Sequence, residues 1–233
     1  MVWDRTRGHD TTHHLPLFSL AVVNAAKTVG VKLFVFSSLA YVSKISGGRY
    51  TKVGPFDAKG EISEYLRESG VPHALVSAGY YISNLYDPPA APVKQSDGSF
   101  VMTGPFAPRT PIPLLDVPHD YGPAVRAVIE RPALGPGTEL LTGTTTSFQE
   151  IAEVLTEVTG KRHVYQQDSH EDFVIGKGMP SPCAELLWEA WSFVNDFGYY
   201  NGRNPEESLK VTGITSAPVR EMFRRVPHGK FGV

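Results

Sequence analysis

The residue with the most chemical promise is Lys59, inside the stretch "YTKVGPFDAKGEISEYLRESG". A lysine on a helix lowers the pKa of a phenol placed four residues earlier on the same face, so that the phenol can pass a proton during hydride transfer. Here Pro55 occupies that earlier position. No tyrosine in the chain has a lysine four residues later, and Tyr41 is followed by Lys44, one residue too close. The alternative for Lys59 is a solvated helix residue whose stem covers apolar surface.

Other chemistries find less support. There are eight histidines, and His9 and His13 could share a helical face with His14 beside them, but no cysteine pair or "HExxH" accompanies them. They read as a polar tail. There is no "GxSxG", and the lone Cys183 follows Pro182 at the start of an amphipathic helix whose Leu187 and Trp191 look like core, which points to a structural cysteine. "GKGMPSP" lacks P-loop spacing and reads as a surface loop, while Glu206-Glu207 after Asn204-Pro205 marks a helix start. No Gly-x-Gly-x-x-Gly or Gly-x-x-Gly-x-x-Gly occurs, although a dinucleotide normally needs one at the first strand-to-helix turn.

The elements that must position Lys59 follow from periodicity. "LPLFSLAVVNAAKTVG" sets Phe18, Ala21, Val22, Ala25 and Val29 on one helical stripe, with Gly30 as its cap. "VKLFVFSS" is a continuous β-branched and aromatic run, suited to a strand covered on both faces. In "FDAKGEISEYLRESG" Ala58, Ile62, Tyr65, Leu66 and Ser69 share a face, Asp57 is available near the helix start, and Gly70 closes it before the strand "HALVSAGYY". Helix, Gly-Val, strand, helix, Gly-Val, strand is the order of βαβ crossovers and predicts an α/β layered sheet.

Beyond it lie a Pro- and Gly-rich segment with a short strand or hairpin at Ser99 to Met102, a short helix in "DYGPAVRAVIER" and a strand in "GTELLTG". A capping box at Ser147 to Glu150 opens a helix, "RHVYQQ" offers a last strand, "SPCAELLWEAWSFVNDFG" a long amphipathic helix and "APVREMFRRV" a short final one. The expected division is a tail over 1–16, the α/β domain over 17–165 and a C-terminal helical lobe over 166–233 packed on it.

Composition bounds the partners. With 233 residues, 41% hydrophobic, the chain can bury a sizeable core. A net charge of -2 creates no field that would draw it onto nucleic acid or an acidic membrane. One cysteine excludes an internal disulfide framework, and neither a signal peptide nor a membrane-length apolar run is visible, so the expected compartment is cytoplasmic or nucleocytoplasmic.

Three stretches, "AAKTVGVKLFVFSSL", "GPFDAKGEISEYLRESGVPHALVSAGYYISNL" and "LLDVPHDYGPAVRAVI", together resemble the NmrA-like proteins, atypical members of the short-chain dehydrogenase superfamily named for fungal regulators of nitrogen metabolite repression. The resemblance is closest from about Phe18 to about Tyr165 and looser in the C-terminal third. It implies a Rossmann-like, doubly wound parallel sheet with a smaller substrate-side lobe, binding of NAD or NADP, and a redox-sensing regulatory role in which a GATA-type zinc-finger transcription factor is the partner. The alternative it implies is an NAD(P)H-dependent oxidoreductase acting on a quinone or similar small metabolite, and a further alternative is a non-functional fragment. By position, Lys59 matches the family lysine that reaches the nicotinamide ribose, with Ser37 and Ser38 at the strand end beside it. Tyr81, Ile82, Ser83 and Asn84 match the segment that folds over the nicotinamide, with Gly79 marking a close backbone approach. No metal site and no catalytic residue is implied. The family's opening strands, with the Gly-rich turn, find no counterpart before Phe18, so the sheet is expected to be incomplete at its N-terminal side and the strand "KLFVFSS" to present a hydrophobic edge, which makes a homo-oligomer possible.

Overall fold

The computed structural model describes residues 14–86, 88–131 and 134–227, and only the backbone of 14–19. His9 and His13 lie outside the described residues. The chain runs as α1 (His14–Val29), β1 (Phe34–Ser38), α2 (Val42–Ile45), α3 (Gly54–Ser69), β2 (His73–Ser77) and β3 (Tyr80–Tyr81), then a 3-10 turn over Ile82–Leu85. β4 (Val93–Lys94), β5 (Phe100–Gly104) and β6 (Ile112–Leu115) follow, then a π-turn over Val117–Tyr121 that leads into α4 (Gly122–Glu130). The last part comprises β7 (Glu139–Leu141), β8 (Thr144–Thr146), α5 (Phe148–Thr159), β9 (His163–Gln167), α6 (His170–Val174), α7 (Ser181–Phe197), α8 (Pro205–Lys210) and α9 (Val219–Arg225).

The expected βαβ unit is present: β1, β2 and β7 pair in parallel in that order. Helices cover both of its faces. On one, Val23 and Ala26 of α1 and Ile62 and Leu66 of α3 pack with Leu75; on the other, Ala124 and Val128 of α4 and Leu209 of α8 pack with Ala74, Val76 and Leu140. The remaining strands do not continue this sheet but form two short mixed ones, ordered β3-β6-β8 and β4-β5-β9. The result is an α/β fold with parallel strands, with the strand regions broken up where the Pro-rich middle of the chain cannot supply long ladders.

β1 is an edge strand among the described residues. The Phe34 amide donates to the Pro72 carbonyl, so residues 34, 36 and 38 address β2, and Val35 and Ser37 turn their backbone groups to the open side. The stripe expected on α1 needs correction. Val23 and Ala26 are the buried positions, whereas Val22 is 40% and Val29 75% exposed. The helix is apolar on two sides, and the side that meets Ile62 and Leu66 of α3 is the one that becomes core.

α3 follows its sequence more closely, burying Ala58, Ile62, Leu66 and Ser69. It starts at Gly54, so Lys59 stands in the second turn, and Asp57 caps not this helix but α2, its carboxylate accepting the Ser43 amide at 2.9 Å. The capping box of α5 is half formed: Ser147 accepts the Glu150 amide at 3.2 Å, but the Glu150 carboxylate takes the Thr146 hydroxyl at 3.0 Å instead of reaching back. α6 was absent from the sequence reading, though Ser169, whose hydroxyl accepts the Asp172 amide at 3.1 Å, carries the N-cap signature that marks it. Asn204 caps α8 through the Glu206 amide at 2.8 Å, as its sequence suggested.

At Gly60 an added Cβ would stand 2.4 Å from the Tyr41 Cβ. Alanine is the better helix former by about 1 kcal/mol, but forcing a methyl into this contact costs about 1–3 kcal/mol. Gly60→Ala should therefore lower the urea midpoint; a raised midpoint would show that α3 and the Tyr41 loop part freely.

Candidate functional site

The loop between α2 and α3 fixes where α3 begins, and α7 holds that loop. Glu189 of α7 accepts the amides of Thr51 and Lys52 at 2.7 Å each, and the Lys52 ammonium lies 3.1 Å from Glu185. The Tyr50 phenol donates to Asp196 at 2.6 Å, and Arg49 pairs with the same carboxylate at 2.8 Å. Burial, reinforced by the Asp196 hydrogen bond, pushes the Tyr50 phenol up to about 12.

From α3, Lys59 reaches across to the carboxyl end of β1, where its ammonium donates to the Ser37 hydroxyl at 3.3 Å. Among the described residues no carboxylate pairs with it. Burial holds the ammonium below its ordinary value, and no neighbouring charge offsets that. Nearby, the phenol of Tyr121, which closes the π-turn, donates to the Val76 carbonyl of β2 at 2.9 Å. Sequence reading placed Tyr121 in a helix start and missed this role.

Of the residues expected beside Lys59, Ser37 is brought to it, and Ser38 is turned away. The Ser38 hydroxyl meets that of Ser63 at 2.8 Å inside the protein. Gly79 makes its close approach to backbone: a Cβ there would be 2.2 Å from the Pro113 carbonyl oxygen and 2.8 Å from that of Thr142. The reason only hydrogen fits is thus the meeting of three chain segments. In the 3-10 turn Ile82 is buried in the core, while Ser83 and Asn84 are exposed. Tyr81 is 38% exposed.

Ser83 and Asn84 stand at the rim of a cavity of about 380 Å³ walled by Tyr80, Phe106, Phe148 and Trp191. Phe106 packs on Phe148 and on Trp191 with ring centroids 4.8 Å apart in both cases, and Tyr80 meets Phe106 edge-on at 6.0 Å. Burial drives the Tyr80 phenol far above its usual range, which makes it a wall residue and not an acid-base group. Lys177, expected in a surface loop, points inward here, its ammonium bonding the Thr103 hydroxyl and lying 3.2 Å from Asp168. Leu187 lines the same cavity and Trp191 is partly buried, whereas Cys183 is exposed on the first turn of α7 and belongs to no core.

Between the two regions, Tyr200 closes the carboxyl ends of β2 and β7, its phenol bonding the Thr142 carbonyl at 2.8 Å and the Ser77 carbonyl at 3.2 Å. Lys59 and Ser37 therefore meet at the carboxyl ends of parallel strands, the end at which open α/β sheets take ligands. Among the described residues no group of three His, Cys, Asp or Glu could hold a metal, and no helix is long and apolar enough to cross a membrane.

A model of the NmrA-like family matches residues 18–222. The chain belongs to the NmrA-like family. Its curated relatives include the nitrogen metabolite repression protein nmr of Neurospora crassa, 31% identical over 118 residues, which cover 48% of this chain and 23% of that protein. Quinone oxidoreductase 2 of Escherichia coli is 27% identical over 214 residues, covering 89% of this chain and 68% of the enzyme. Among solved structures, the negative transcriptional regulator NmrA superposes with a TM-score of 0.73 at 22% identity, covering 91% of this NmrA-like chain and 69% of the regulator. The regulator has been crystallised with NAD and with NADP, and the Escherichia coli quinone oxidoreductase with NADPH. At these identities the structural likeness speaks for a Rossmann-like fold, and the chain spans only part of the length of each relative.

Proposed function

We propose that this NmrA-like chain is a nicotinamide-nucleotide-responsive regulatory protein that acts through contacts with another protein. The observation that carries the reading is Lys59, a half-buried ammonium without a carboxylate, held by Ser37 at the carboxyl ends of parallel strands. Such a group fits a ribose hydroxyl as a charge-assisted donor. Ser37, Tyr81, Ser83 and Asn84 would line the nicotinamide end. These residues fit that end of NAD or NADP. Pro55 in place of a helix tyrosine favours sensing over turnover. By analogy with the family's regulators the partner is a zinc-finger transcription factor of GATA type, and residues 166–233 would form the lobe on the substrate side.

A second reading is an NAD(P)H-dependent reductase of a quinone. The aromatic-walled cavity beside Ser83 and Asn84 favours it, since a flat apolar ring can stack there. Calorimetric titration with NAD, NADH, NADP and NADPH, followed by a quinone turnover assay, separates the two. Saturable binding without turnover is the expected result. Absence of binding by all four at millimolar concentration would overturn both readings, and turnover would overturn the regulatory one.

A further inference from the structure

The chain leaves β9 at Asp168 and comes back to that residue at Lys177. The Asp168 amide donates to the Gly104 carbonyl at 2.8 Å, which ties this end to β5. At the other end the Lys177 ammonium bonds the Thr103 hydroxyl and stands 3.2 Å from the Asp168 carboxylate, so residues 168–177 form a loop with a closed neck. Between the two ends the loop covers the aromatic cavity. Its helix α6 is capped by Ser169, and within 168–177 only Phe173 is fully buried. That ring lines the cavity beside Leu187 and Trp191 and meets Trp188 with centroids 6.1 Å apart. His170, Glu171, Asp172 and Ile175 are exposed, so α6 stands between solvent and the cavity.

The neck is held by little. The side chains of Lys177 and Asp168 are 19% and 10% exposed, so both charges have given up most of their water. The oxygen that faces the ammonium, Asp168 Oδ2, is buried and has no hydrogen-bond partner among the described residues. The attraction is therefore Coulombic, without a well-directed bond to offset the desolvation. Gly178, with φ at 65°, supplies beside Lys177 a backbone position that turns freely. On the solvent side His170 adds a tie to Glu185 of α7 at 3.5 Å, where the gain is small. Segments with so few buried contacts open locally before the rest of a protein does.

We propose that residues 168–177 are a strap that swings out when the Lys177–Asp168 neck parts, withdrawing Phe173 from the cavity wall and admitting a flat aromatic ligand. The admission of a ligand rests on the second reading above, in which the cavity seats a flat apolar ring; the opening of the strap does not. Lys177 then controls how fast a ligand enters and leaves. It has little influence on affinity, because the neck is closed both before the ligand arrives and after it is seated.

The test compares the full chain with Lys177→Met by amide hydrogen exchange and by ligand kinetics. The Phe173 and Ile175 amides, bonded to the Ser169 and Glu171 carbonyls, report on the strap, and the Asp168 amide reports on the sheet. In Lys177→Met the first two should exchange roughly tenfold faster, the effect of losing one charged contact, while the Asp168 amide is unchanged. Menadione, a flat naphthoquinone, is followed in stopped flow by quenching of tryptophan fluorescence. It should enter and leave the variant roughly tenfold faster, with its affinity altered by less than about twofold. Should Lys177→Met unfold, combining it with Asp168→Asn leaves no unpaired charge at the neck, and the same accelerations are expected. Unchanged exchange at Phe173 and Ile175 overturns the proposal, and so does equal acceleration at Asp168, which marks a general loosening. Menadione that binds with unaltered rates overturns the gating. Faster strap exchange without any menadione binding overturns the ring-binding reading and supports the strap.

Discussion

Lys59→Ala should weaken NADPH binding by roughly 10- to 100-fold, the range for removing one charge-assisted hydrogen bond, and should leave the fold intact. The ammonium forms no ion pair among the described residues: it donates to a serine hydroxyl, and its pKa is depressed by burial. The consequence for stability has a definite sign. With its folded-state pKa below the ordinary value of 10.5, the unfolded chain holds the proton more tightly, so stability rises with pH between the two values. Below that window the burial penalty is present in full. Lys59→Met removes it, so this variant should be the more stable at neutral pH and should lose the rising slope. Urea melts from pH 7 to just below about 10 measure this, the upper limit being set by tyrosine ionisation, which acts in the opposite direction. A Lys59→Met protein less stable than wild type at pH 7 would mean that the ammonium has an internal function in the fold.

Phe106→Ala is expected to give the largest loss of stability, about 3–5 kcal/mol. Phe106 is 2% exposed and touches the rings of Tyr80, Phe148 and Trp191, so it joins β3, α5 and α7 across the cavity. These belong to one buried cluster that runs from Val42 near the N-terminal sheet to Phe223 in α9. Truncation would leave a void among the three rings of Tyr80, Phe148 and Trp191, all packed in the same cluster. Chemical denaturation followed by tryptophan fluorescence checks this. A loss smaller than about 1 kcal/mol would show that the cluster repacks, and that the cavity wall is soft.

The legible part of the fold was the part with uniform periodicity. The run in "HALVS" and the face of α3 from Ala58 to Ser69 are buried by the elements next to them in sequence, so local pattern and tertiary outcome agree, while "VKLFVFSS" forms the expected strand but, at the sheet edge, stays only partly buried. α1 was misread because it is apolar on two sides, and only contact with α3 decides between Val22–Val29 and Val23–Ala26. Within the site, the pairing of Lys59 with Ser37 followed from the family match. The turning of Ser38 towards Ser63 did not, since adjacent residues on a strand face opposite sides and no local signal says which faces Lys59. Tyr121 was hidden for a different reason. Its hydrogen-bond partner, Val76, is 45 residues away in the chain, and a π-turn carries it there. Lys177 was likewise read from the glycines around it as loop, while its ammonium found Asp168 and Thr103 inside.

The central claim is that the Lys59 ammonium, steadied by Ser37, meets the ribose of a nicotinamide nucleotide. Lysine-selective NMR during a titration with NADP tests it most directly. The account predicts that the Lys59 ε resonance moves saturably and further than those of the exposed Lys44 and Lys52, and that the movement disappears in Ser37→Ala or is shifted to higher NADP concentration. A Lys59 resonance that stays fixed while nucleotide binds elsewhere, or while none binds at all, would contradict it.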